Sequence, residues 1–121
     1  MSFQSTNNKL RNKRNNQLIA ENVILANSFA QRSKGLLGKK SFEKENTLWI
    51  QRCQSIHTFF MKFPLDAVFV DKDLKVTNIL FNLKPWRVTP YYFKAKSVFE
   101  FAAGTIDKDK ITIGDQLYVG D

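Results

Sequence analysis

The stretch CQSIHTFFMKFPLD, residues 53–66, gathers the only cysteine, the only histidine and the only methionine after the first residue. Cys53, His57 and Met61 recur at every fourth position. Thiol, imidazole and thioether together suit copper, and cysteine with histidine is also a thiol-enzyme pairing in which the imidazole holds a thiolate. Spacing weighs against both. In a strand, four residues span about 13 Å, so no two of these side chains could grip one ion at about 2 Å. In a helix the step is about 6 Å and only adjacent members of the triplet could meet. SIHTFF, β-branched and aromatic, favours extended chain. Cys53 and Met61 are therefore read as packing residues, and neither metal nor cofactor is assigned. His57 stays as a ligand contact that needs no help from Cys53.

The acids form a second constellation. Asp66 in LDAVFV shares a strand face with Val68 and Val70, and Glu100 in SVFEF shares one with Val98 and Ala102. A carboxylate on an apolar face must find a partner, and Lys62 and Arg32 are the candidates. Such a group, with His57, could serve acid–base chemistry. A structural ion pair that fixes strand register is the favoured alternative. A third constellation is LKPWRVTPYYFKAK, which sets Trp86, Tyr91, Tyr92 and Phe93 among Lys84, Arg87, Lys94 and Lys96. Trp86, Arg87, Tyr91 and Tyr92 are its candidate contacts. Single-stranded nucleic-acid binding uses aromatic platforms among cations, but a loop covering an open barrel end has the same composition.

These groups must be positioned by short elements. NVILA (22–26), TLWIQ (47–51), DAVFVD, VTNILFNL, SVFEFAAG (97–104) and TIGDQLYV (112–119) read as strands or turn-plus-strand units. DKDLK makes the second pair a hairpin, and Asp115 in IGDQ serves a turn. NSFAQRSKGLLGK predicts one early helix, capped by Asn27 or Ser28 and closed near Gly38. The prolines at 85 and 90 make the 84–94 segment a loop or irregular edge. The expected fold class is α+β, mainly β: a rolled sheet or small barrel of short strands with one early α-helix.

A chain of 121 residues fits one domain. Its 43% hydrophobic content and 11 phenylalanines supply a core without disulfide or metal. A single cysteine suits a reducing compartment. No apolar run nears the roughly 18 residues of a membrane span, and no h-region follows the first residues. Cytoplasmic location is expected. Half of the net charge of +8 lies in residues 1–16, which hold Lys9, Arg11, Lys13 and Arg14 without an acid. Rich in Asn and Gln, residues 1–17 are expected to be a mobile basic tail on a globular domain at 18–121.

QRSKGLLGK, FFMKFPLDAVFVDKDLKV, KPW, VFEFAAGT and IGDQLYV, in this order and spacing, resemble the uncharacterised prokaryotic family known as domain of unknown function 192. The likeness covers about residues 18–119, and a subfamily carries the SIHTFFM stretch as well. Leu37 stands where the family has methionine, and TLWI where it has a glycine-led GMLF type of segment. Both changes keep apolar character. The resemblance implies a fold and no mechanism.

The sequence thus predicts a small binding module, monomeric or weakly dimeric, for an unknown small molecule or protein. Its pocket is expected near residues 57–66, beside the 84–94 loop. Two rivals stand beside it: an enzyme using Asp66, Glu100 and His57, and a nucleic-acid binder using the basic tail with the aromatic loop 84–96.

Overall fold

Apolar alternation becomes strand pairing in the computed structural model, which describes residues 4–26 and 43–121. In chain order the strands are β1 (Gln4–Ser5), β2 (Lys9–Asn12), β3 (Gln17–Ala20), β4 (Asn22–Ala26) and β5 (Asn46–Gln51), followed by β6 (Leu65–Val70), β7 (Val76–Leu83), β8 (Ser97–Ala102) and β9 (Leu117–Gly120). They form a six-stranded sheet in the order β1-β4-β5-β8-β6-β7 and a three-stranded sheet in the order β3-β2-β9. Among the described residues only β4 and β5 pair in parallel.

The expected rolled sheet or barrel is corrected by this topology. β1 and β7 remain at opposite edges of an open sheet, and the second sheet is separate. The reason lies in the central strands. All six residues of β6 are buried, as are five of six in β8, so both faces of the sheet need covering. A strand buried on both faces reads as a continuous apolar run, which is what VFV and VFEF show. The α+β assignment is corrected too: the elements among the described residues are all strands. The predicted helix falls within residues 27–42, which lie outside the described residues.

Each face of the large sheet carries its own core. On one face Leu48, Ile50, Leu65, Ala67, Phe69 and Val98 meet Cys53, Ile56, Met61, Phe63 and Ala95 from the irregular segments that flank β6 and β8. On the other, Val23, Val68, Val70, Phe99 and Phe101 meet Leu10, Ile19, Ala20 and Leu117 from the three-stranded sheet, together with Ile106 and Ile111. Trp49 lies on this second side, its ring stacked on Phe99 with centroids 5.1 Å apart. The order is therefore irregular ribbon, large sheet, small sheet.

Part of the stretch expected as a mobile basic tail at 1–17 is strand. β2 is the central strand of the small sheet, paired with β3 and β9, and Leu10 and Asn12 are fully buried. Asn12 Nδ2 donates to Asp115 Oδ2 at 2.8 Å and to the Lys110 carbonyl at 2.7 Å. Arg14 Nε donates to Asp115 Oδ1 at 2.8 Å. One leucine and one asparagine at alternate positions, both facing inward, hold a stretch whose overall composition looks unfoldable.

Candidate binding surface on an aromatic ribbon

The site is built from two acid-free segments, 52–65 and 84–96. Their backbones run alongside each other. Cys53 N–H donates to the Lys96 carbonyl, Tyr92 N–H to Gln54, Thr89 N–H to Ile56, and Thr58 N–H to Arg87, all between 2.8 and 3.0 Å. His57 and Val88 form a single antiparallel bridge. Pro85 and Pro90 keep the 84–96 segment from becoming a regular strand, so buried threonines complete the pairing. Thr58 Oγ1 donates to the Lys84 carbonyl at 2.6 Å and accepts from Arg87 N–H at 3.0 Å. Thr89 Oγ1 accepts from Ile56 N–H at 3.0 Å.

The inner side of this ribbon is core and the outer side is a row of rings. Phe60 is 64% exposed, Trp86 56%, Val88 66% and Phe93 81%. His57 stacks on Phe59 with centroids 4.7 Å apart, and Phe60 meets Trp86 edge-on at 4.6 Å. Farther along, Tyr91 and Phe93 form another edge-on pair at 4.9 Å, where the Tyr91 hydroxyl is hydrogen-bonded to Gln54 Oε1. Together these exposed side chains make an apolar patch, and on soluble proteins such patches are often functional surfaces. Phe60 and Trp86 also take left-handed backbone angles, with φ of 67° and 65°, a conformation that favours glycine over a bulky residue.

Two hollows lie along the ribbon. One of about 270 Å³ is lined by Ser55, Ile56, His57 and Val88. The other, of about 210 Å³, opens at its foot, where Arg52, Lys72 and Lys96 surround Trp49, Asp71 and Ser97. Both are smaller than the roughly 300–1,000 Å³ that encloses a drug-sized ligand. The surface suits contact along its length better than engulfment.

The predicted site residues are not brought together. His57 lies on the ribbon, half-buried, with Nδ1 accepting from Phe59 N–H at 3.3 Å. Asp66 is buried in β6 opposite Phe101, and Glu100 is buried in β8 opposite Ala67 and Leu48. Paired residues share a face, so Asp66 points to the small-sheet side and Glu100 to the ribbon side. The two acids cannot act on one substrate. Nor does Asp66 pair with Lys62, which is exposed. Its Oδ1 accepts from Asn82 N–H at 2.8 Å, and its Oδ2 from Gly104 and Ile106 N–H at 2.9 and 3.4 Å. That arrangement ties the end of β7 and the turn after β8 to β6. Arg32 lies outside the described residues.

Of the loop contacts, Trp86, Arg87 and Tyr91 are exposed. Tyr92 turns inward, its ring edge-on to Phe69 at 4.8 Å, and burial pushes its phenol pKa up. Cys53 and Met61 lie in the core, with Cys53 Sγ donating to the Ser55 carbonyl at 3.1 Å. The basic tail and the aromatic loop, paired in one reading, lie on opposite faces of the large sheet. Missed in the sequence were Phe59, Phe60 and Val88, whose outward direction no periodicity specifies, and Thr58. The available signal was the lack of any acid across 52–65 and 84–96.

A family model for DUF192, described as uncharacterized ACR, matches residues 10–119. The chain belongs to the DUF192 family. It is 31% identical over 100 residues to a UPF0127 protein of Pyrococcus horikoshii, covering 78% of this chain and 84% of that one. Two crystal structures share the DUF192 fold seen here. One is a Sinorhizobium meliloti protein provisionally named a transcription regulator, with TM-score 0.82 and 21% identity over 98% of this chain and 96% of that one. The other is a Novosphingobium aromaticivorans protein of unknown function, with TM-score 0.76 and 21% identity over 96% and 84%. Among the described residues no helix is long and apolar enough to cross a membrane.

Proposed function

We propose that this chain is a small binding module that holds its ligand on the open ribbon around His57, across the rings of Phe59, Phe60 and Trp86 and the exposed Val88. One observation supports the reading above the rest. Bulky rings are kept exposed at Phe60 and Trp86, where the backbone is left-handed and glycine would cost less. Strain of this kind clusters at ligand contacts. The hollow beside His57 offers a partly apolar seat, and the surrounding cations favour a ligand that is aromatic and negatively charged.

Anilinonaphthalene sulfonate, an aromatic anion that fluoresces when desolvated, tests the reading directly. Saturable binding is expected, weakened severalfold in Trp86→Ala and in Val88→Ser while unfolding midpoints hold. Absent binding, or binding indifferent to both substitutions, would sink the proposal.

A further inference from the structure

We infer that the ribbon's ligand is a single-stranded nucleic acid, its bases stacked on the exposed rings and its phosphates met by the flanking cations. This rests on the reading of the ribbon as the binding surface. Charge comes first. Segments 52–65 and 84–96 carry Arg52, Lys62, Lys84, Arg87, Lys94 and Lys96 with no acid between them, and all six are exposed. They hold six of the chain's 19 basic residues and none of its 11 acids. A uniform field of this kind selects a polyanion.

The rings then select among polyanions. Phe60 with Trp86 forms one exposed pair and Tyr91 with Phe93 another. The two pairs are separated along 84–96 by the five residues from Trp86 to Tyr91, at most about 17 Å of extended chain. A linear ligand with repeated flat groups can use both. The second pair carries a polar edge, the Tyr91 hydroxyl bonded to Gln54 Oε1, which an acyl layer would have to desolvate. At the foot of the ribbon, Arg52 and Lys96 also line the hollow with Lys72 and Asp71, where three cations stand beside one acid. The hollows are too small to enclose a ligand, whereas an unpaired strand lies across a surface. Paired bases would hide the faces that stacking needs, so single strands should be preferred.

The test uses fluorescence anisotropy of labelled oligothymidylate and oligouridylate, each a dozen residues long, with the full chain. Expected is low-salt binding tighter for a single strand than for a duplex of equal length. The log–log salt slope should lie between about −2 and −4, as for three to six neutralised phosphates. Phe60→Ala and Trp86→Ala should each weaken binding about tenfold, and Arg87→Gln should reduce the slope by about 0.7. Urea midpoints establish that the variants fold. No binding at low salt would overturn the inference. So would duplex binding equal to single-strand binding with silent ring variants, which is charge attraction alone. Sedimentation with phosphatidylserine vesicles, without oligonucleotide binding, would also overturn it. If anilinonaphthalene sulfonate occupies the ribbon and oligonucleotides neither bind nor displace it, the occupant is wrong and the ribbon stands. If the dye is not on the ribbon, both readings fall.

Discussion

Asp66 and Glu100, one position apart in the pairing of β6 with β8, carry their carboxylates on opposite faces of the same sheet. That relationship decides what the acids can do. Two carboxylates separated by a sheet cannot share a proton or flank a bond, so each acts without the other. Glu100 belongs to the ribbon side, with Ala67 and Leu48 on its face. Asp66 gathers backbone N–H groups from the end of β7 and from the turn after β8.

Asp66→Ala should therefore cost stability without touching the ribbon. It leaves the N–H groups of Asn82, Gly104 and Ile106 without their carboxylate acceptor. Hydrogen bonds to a charged partner contribute about 1.5–3 kcal/mol each, and the longest of the three adds least. The expected loss is about 3 kcal/mol in urea unfolding, with Asp66→Asn intermediate and dye binding at native affinity. A loss below about 0.5 kcal/mol would show that water replaces the carboxylate.

The strands were legible because alternation and short apolar runs survive in the sequence: β4, β5, β7 and β8 lie where NVILA, TLWIQ, VTNILFNL and SVFEFAAG place them. The faces of Asp66 and Glu100 were not, because each strand's own period says nothing about register with its neighbour. β2 was hidden for a different reason. Its partner β9 lies some hundred residues away, and Asn12 looks solvated until Asp115 is placed beside it. The ribbon was half legible: LKPWRVTPYYFKAK announced its aromatics, yet Tyr92 points inward. Phe59 and Phe60 drew no reading of their own, and both are exposed.

Leu10→Ala checks the status of the N-terminal strand. Leu10 is fully buried and packs in the small-sheet core with Leu117 and Ile19. A Leu→Ala change in such a position costs about 2–5 kcal/mol, whereas in a solvated tail it would cost nothing measurable. Chemical denaturation of the variant, against the parent, separates the two.

Asp115 supplies a pH dependence whose sign is fixed. Burial raises its pKa, but the hydrogen bonds from Arg14, Thr112 and Asn12 together outweigh that and lower it from 3.8 to about 2. The folded value lies below the unfolded one, so the stabilisation is complete above about pH 4 and fades as pH falls toward 2. Arg14→Gln removes the strongest of the bonds that lower the Asp115 pKa and should move the onset of acid unfolding to higher pH. Fluorescence-monitored acid titration of both proteins checks it; superimposable curves would show that Arg14 does not hold the carboxylate down.

Trp86→Gly and Phe60→Gly separate a structural ring from a functional one. Both positions lie in the left-handed region, where a non-glycine residue carries about 1–2 kcal/mol of strain. The edge-on contact between the two rings, at 4.6 Å, returns about 0.5–1.5 kcal/mol, and glycine adds its own entropy cost on folding. These terms nearly cancel. Each variant should stay within about 1 kcal/mol of the parent in urea unfolding. Binding should respond quite differently, because removing a ring takes away a stacking surface that no neighbour replaces. A stable, fully folded Trp86→Gly protein with severalfold weaker dye binding would mark the ring as kept for contact. The reverse pattern, unimpaired binding with a stability loss of 2 kcal/mol or more, would mark it as kept for the fold.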